Sequence, residues 1–127
     1  MRYDITRFKT IEPIKGNATI SITKNGMTFS QAAIQKLGKP EYIEILIDEE
    51  EKVLAVIAKN EKSTNSFGFY SPGKKYLSVR IGNKDLKMQI SSLMGWDLNN
   101  SNGYRIEGEF EKECNGMFFE LTEAHPM

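Results

Sequence analysis

The chain has one cysteine, Cys114, and one histidine, His125, in 127 residues. A lone thiol forms neither an internal disulfide nor a cysteine metal cluster, which suits a reducing compartment. Long apolar runs are missing as well, since nothing approaches the roughly 18 residues that span a bilayer. The opening MRYDITRFKT lacks the apolar stretch of a secretory signal. The expectation is a cytoplasmic protein with no membrane partner. Net charge is absent too: 17 basic and 17 acidic side chains cancel, which argues against a strong non-specific grip on nucleic acid.

Catalytic machinery is equally scarce. A nucleophile needs a positioned base, and His125 stands beside Pro126 in what reads as a frayed tail. Cys114 precedes an Asn-Gly turn and reads as an exposed thiol. The carboxylates Asp48, Glu49, Glu50 and Glu51 are consecutive, without the spacing or glycine of a calcium loop. Neither a Walker-type nor a dinucleotide glycine fingerprint is present. Trp96, directly after Gly95, reads as a core plug. The chain is therefore expected to be no enzyme, with no metal and no cofactor.

What the sequence does contain is β-pattern with two short helices. Residues 17–23 alternate, and Asn25-Gly26 makes a turn. Met27-Thr28-Phe29 leads into Ser30, a good helix N-cap, with Phe29 and Ile34 spaced as a hydrophobic staple. Phe29, Ala33 and Leu37 share a helix face, and Gly38 and Pro40 end the helix. Residues 42–47 and 53–58 form a hairpin around the acidic turn. The return strand is apolar on both faces, which suggests a central, well-covered position. Residues 59–75 read as a connection pinned by Phe67, Phe69 and Tyr70.

The second half repeats the order. Residues 76–81 read as a strand, and Gly82-Asn83 takes the place of Asn25-Gly26. Asp85 is a candidate cap for a helix carrying Leu86, Ile90, Leu93 and Met94, closed by Gly95. After an Asn-rich loop, Tyr104, Ile106 and Phe110 alternate with Arg105, Glu107, Glu109 and Glu111. Asn115-Gly116 then signals a two-residue hairpin. A shift of 57 residues lays Phe29 on Leu86, Ala33 on Ile90, Leu37 on Met94 and Gly38 on Gly95. The fold class expected is α+β and β-rich: two strand–helix–hairpin halves, 1–62 and 63–127, in one pseudo-twofold, barrel-like domain. An internal duplication is the favoured origin.

Charge follows the same plan. Residues 1–40 hold seven basic and two acidic side chains, and residues 41–62 hold three and seven. Residues 63–94 hold five and one, and residues 95–127 two and seven. The strand–helix parts are basic and the hairpins acidic. Such blocks either make two faces of opposite sign or neutralise each other in exposed salt bridges, each worth under about 1 kcal/mol.

Residues 22–38, running from Ile22 through Asn25-Gly26 and Ser30 to Leu37-Gly38, resemble the core of AbrB-type swapped-hairpin DNA-binding domains, and residues 42–58 continue the likeness. In that family two chains intertwine into one barrel-like unit, so here the two halves would play the two subunits. The resemblance implies DNA binding in transcription regulation. Its pattern departs at Ser30, where proline is usual. It departs again at Met27, Ile34 and Gln35, and at Ser91 and Ser92, where the family carries arginines; only Lys84 keeps the charge. The chain also resembles uncharacterised small proteins of Gram-positive bacteria and their mobile elements.

Candidate contacts to duplex DNA are Arg2, Arg7, Lys9, Lys15 and Lys24 from the first basic block and Arg80, Lys84 and Lys87 from the second. The alternative is a protein-interaction module, such as a phage or mobile-element factor binding a host protein. Glu107, Glu109 and Glu111 would be its surface. The oligomeric state is open between monomer and homodimer.

Overall fold

The computed structural model describes residues 2–8, 17–73 and 78–127. In the first half, strands β1 (Thr19–Thr23) and β2 (Gly26–Phe29) fold back on each other around Lys24 and Asn25. Ser30 then caps α1 (Gln31–Lys36), its hydroxyl accepting from the Ala33 N–H at 3.2 Å. Gly38, at φ 84°, turns the chain out of the helix. Its N–H donates to the Gln35 carbonyl, and the Lys39 N–H donates to that of Ile34, the paired bonds of a Schellman ending. The expected hairpin follows as β3 (Tyr42–Asp48) and β4 (Val53–Lys59), paired from end to end.

The second half departs from the sequence reading in several places. The connection at 59–75 contains a strand, β5 (Ser66–Gly68), held against β3. Its aromatics do pin it down: Phe69 is buried, with its ring 4.8 Å from that of Phe29. Strand β6 spans Val79–Ile81, while Tyr76 and Leu77 of the expected strand lie outside the described residues. The cap of α2 (Lys84–Met94) is Asn83 and not Asp85. Asn83 keeps an extended backbone and accepts from the Leu86 N–H at 2.9 Å, whereas Asp85 is already in the first turn. Gly82-Asn83 therefore opens a helix and does not turn a hairpin. Gly95, at φ 69°, closes α2 as expected.

Strands β7 (Tyr104–Glu111) and β8 (Gly116–Glu120) are joined by residues 112–115. Gly116 already pairs with Glu111, so Asn115-Gly116 is not a two-residue turn; Asn115 ends a longer one in the left-handed region, at φ 52°. His125 is not in a frayed tail. With Pro126 it forms β9, which pairs with the stretch of β7 that β8 leaves open. Just beyond it, the Met127 N–H donates to the Gly103 carbonyl at 2.9 Å.

The nine strands among the described residues join one nearly closed, barrel-like sheet in the order β5-β3-β4-β8-β7-β1-β2-β6, with β9 beside β7. Strands from the two halves interleave. Outward from the β4–β8 pair lie β3 and β7, then β5 and β1. The pair β2–β6 stands opposite, and the seam between β5 and β6 stays open. Ile43 on β3 faces Phe67 of β5 just as Ile106 on β7 faces Ile20 of β1. By position in the sheet, the counterpart of β1 is β5 and not residues 76–81, so the 57-residue shift does not describe the strands. It does align the helices, laying buried Ala33 on buried Ile90 and Gly38 on Gly95, both at positive φ.

Ile20, Ile22, Met27, Phe29, Ile43 and Leu54 fill the interior together with Val56, Ile106, Met117 and Phe119. The helices add Ala33, Ile34 and Ile90. Among the described residues no buried charged side chain occurs. Strand β4 is central, as its composition suggested, and its outer face is partly covered: Ala55 is buried, while Val53 and Ile57 are half-buried. No helix among the described residues is long and apolar enough to cross a membrane.

Candidate functional site

Strand pairing creates one outward row that no local motif announces. Arg80 on β6 stands opposite Thr28 on β2, Thr28 opposite Ser21 on β1, and Ser21 opposite Arg105 on β7. Because side chains alternate along a strand, and Val79, Ile81, Met27, Phe29, Ile20, Ile22 and Ile106 are all buried, these four point away from the core. Both arginines are exposed. Three strand spacings separate them, about 14 Å at the backbone. Beyond Arg105, His125 on β9 continues the row.

A shallow depression of about 440 Å³ opens beside it, lined by Asn17, Thr19, Ser21, Thr28, Ser30 and Arg105, with Glu107 at its margin. The Ser30 hydroxyl is committed to structure, accepting from the Thr19 N–H at 2.9 Å. Asn17 holds Glu107, donating from its side-chain amide to Oε1 at 3.0 Å. What faces outward is a surface of hydroxyls between two guanidinium groups, suited to an extended anion.

One end of this row is crowded with cations from both basic blocks. The β1–β2 turn carrying Lys24 abuts the chain leaving β6, where the Gly26 and Ile81 backbones approach so closely that any side chain at position 26 would strike the Ile81 carbonyl. One turn into α2, Lys87 donates from Nζ to the Lys24 carbonyl at 2.7 Å. Lys84 is exposed at the first position of the same helix. Lys24, Arg80, Lys84 and Lys87 thus share a corner. Arg2 and Arg7 belong to an exposed N-terminal segment with a 3-10 turn at Ile5–Arg7, where the Arg2 guanidinium lies 5.5 Å from the Tyr3 ring centre. Lys9 and Lys15 lie outside the described residues.

Glu107, Glu109 and Glu111 line the outer side of β7 and are exposed. The basic and acidic blocks do not neutralise each other pairwise. Among the described residues one ion pair forms, Lys59 Nζ to Glu44 Oε2 at 3.4 Å, and it lies within the first hairpin.

The remaining candidates stay apart. Cys114 sits in the turn after β7, and His125 pairs with Arg105 near the start of that strand. Six strand residues, about 20 Å, separate the two ends, so no thiol–imidazole pair exists. No group of three His, Cys, Asp or Glu side chains among the described residues converges as metal ligands would. Trp96 is half-buried against the core and stacks on Tyr104 with centroids 4.0 Å apart.

Comparison with protein-family models, with curated proteins and with solved structures finds no match. The sequence reading omitted Arg105, Ser21 and Thr28. Alternation alone marks Arg105 as outward-facing, but nothing local identifies β1 as its neighbour.

Proposed function

We propose that the protein is a non-enzymatic, AbrB-like DNA-binding domain with a transcription-regulatory role, gripping the duplex backbone with the row Arg80–Thr28–Ser21–Arg105 and the lysine corner beside it. The observation that carries this reading is that two arginines of the second half flank Ser21 and Thr28 of the first on a single outward row, with no carboxylate within ion-pair distance among the described residues. Their backbones stand about 14 Å apart, comparable to the roughly 12 Å width of a major groove. Hydroxyls between them suit phosphate contacts, which position a protein on DNA without reading its sequence.

The sheet order supports the AbrB-like reading as well. Two halves that exchange strands, with β4–β8 and β2–β6 as the self-paired positions, are what a fused pair of swapped-hairpin units would produce. Net neutrality fits a modest affinity, because the acidic hairpins oppose the long-range attraction.

Titration of fluorescent duplex DNA by anisotropy tests the proposal. Binding is expected at about 50 mM salt and should weaken steeply as salt rises. The double variant Arg80→Ala/Arg105→Ala should lose about tenfold or more in affinity and flatten the salt dependence, at about 0.9 in slope per phosphate contact removed. No binding at low salt ends the reading.

A further inference from the structure

We propose that the outer face of β3, β4 and β8 is a docking surface for a protein segment that presents a lysine or arginine beside an apolar side chain. The surface does not rest on the DNA reading: its apolar row lies on the other arc of the barrel, and only its margin, at Glu107 and His125, adjoins the arginine row.

Three observations carry it. First, Leu46 on β3, Ala55 on β4 and Phe118 on β8 stand directly opposite one another, making an apolar row across three adjacent strands. They belong to the outward-facing set by alternation with Leu54, Val56, Met117 and Phe119, although the small Ala55 is itself buried between its neighbours and Phe118 is half-buried. Leu46 is 54 % exposed, and it is the contiguity of the row, not this single leucine, that marks the face.

Second, the row ends at Glu109, opposite Phe118, beside a depression of about 370 Å³. Its floor includes Val53, Gly108 and Phe118, and its rim carries Glu107, Glu109, Glu120 and Glu123, with His125. None of these four carboxylates has a basic partner among the described residues, and only Glu107 receives a side-chain hydrogen bond, from Asn17. They do not converge as a metal site would. An apolar floor under a carboxylate rim suits a long cationic side chain, whose methylene stem lies on the floor while its head meets the acids. Phe118 adds a ring face for that cation.

Third, the charge selects the occupant. A second copy docking by the same face would oppose glutamates to glutamates, and a nucleic acid would be repelled. A basic, partly apolar polypeptide is the partner that gains on both counts, with arginine as the favoured anchor of such an interface.

The test is an amide NMR titration of the full chain with two short synthetic peptides, one alternating leucine with arginine and one alternating leucine with glutamate. The arginine peptide should give saturable shifts confined to Glu107–Glu109, Phe118–Glu120 and Leu46, and the glutamate peptide none. Glu109→Lys/Glu120→Lys should weaken binding about tenfold or more, and Leu46→Ser, a milder change at an exposed site, should weaken it without unfolding the chain. Arg80→Ala should leave it unchanged. The proposal is overturned if the arginine peptide shifts no residue or shifts another face. It is equally overturned if charge reversal leaves affinity intact in a folded variant, or if sedimentation finds a dimer with this face at its interface.

Discussion

The Lys87 ammonium donates to the Lys24 carbonyl at 2.7 Å across 63 residues of sequence, tying the first helix-ward turn of one half to the helix of the other. Replacing Lys87 by Met keeps the stem and removes the donor. The loss of this exposed bond should cost no more than about 1 kcal/mol. Hydrogen exchange at Lys24–Gly26 should quicken while the core amides of β4 stay protected. Equal acceleration everywhere would mean the contact does not act locally.

Ser30 joins three backbone segments through one oxygen. It accepts from the Thr19 and Ala33 N–H groups, at 2.9 and 3.2 Å, and donates to the Asn17 carbonyl at 3.4 Å. Ser30→Ala should destabilise the fold by about 1–2 kcal/mol, read as a lower urea midpoint at unchanged slope. Ser30→Thr keeps the oxygen and should recover most of it.

Glycines 26 and 38 both adopt positive φ, at 130° and 84°, but only Gly26 faces a wall. An added methyl there meets the Ile81 carbonyl, while at Gly38 it meets open space. Gly38→Ala should cost about 1 kcal/mol, from backbone strain alone. Gly26→Ala should cost about 3 kcal/mol or more, because β2 and β6 must also part. Thermal melts of the two variants give the comparison directly.

Asp97 titrates below the ordinary carboxylate range, first because the Asn100 side-chain amide donates to it at 2.6 Å. The backbone N–H groups of Asn99 and Asn100 add to this, against an opposing effect of desolvation. A folded-state value below the unfolded one gives stability that is present above the unfolded value and lost as pH falls through the folded one. Asn100→Ala should therefore move the Asp97 midpoint upward in a carboxyl-carbon NMR titration. A midpoint unmoved by the substitution would assign the depression to the backbone groups alone.

The parts legible in the sequence are those with a local cause. The hairpin of β3 and β4 follows from its alternation and its acidic turn, and α1 follows from Ser30, Phe29 and Gly38. Strand β5 was illegible because Ser66-Phe67-Gly68 has no periodicity of its own; it exists as a strand through its ladder with β3. His125 fails for the same reason, since two residues become a strand only where β8 leaves β7 unpaired. Asn83 and Asp85 are both acceptable caps, and the extended backbone at Asn83 decides between them. The surface follows the same division. Charge blocks exposed Lys24, Arg80 and Lys84 as candidates, yet Arg105 sits in an acidic block and joins them only through its pairing with Ser21.

Interleaving of the halves also governs how the protein is born. Strand β1 pairs with β7, and β4 pairs with β8. A nascent chain that has released only its first half therefore carries open edges on apolar strands. Those edges find their neighbours only when residues 104–120 have left the ribosome, and such non-local pairing is intrinsically slow. From the synthesis of residue 59 until residue 120, β4 is covered by β3 on one edge only, and its other edge is within reach of chaperones and of sister chains on the same message.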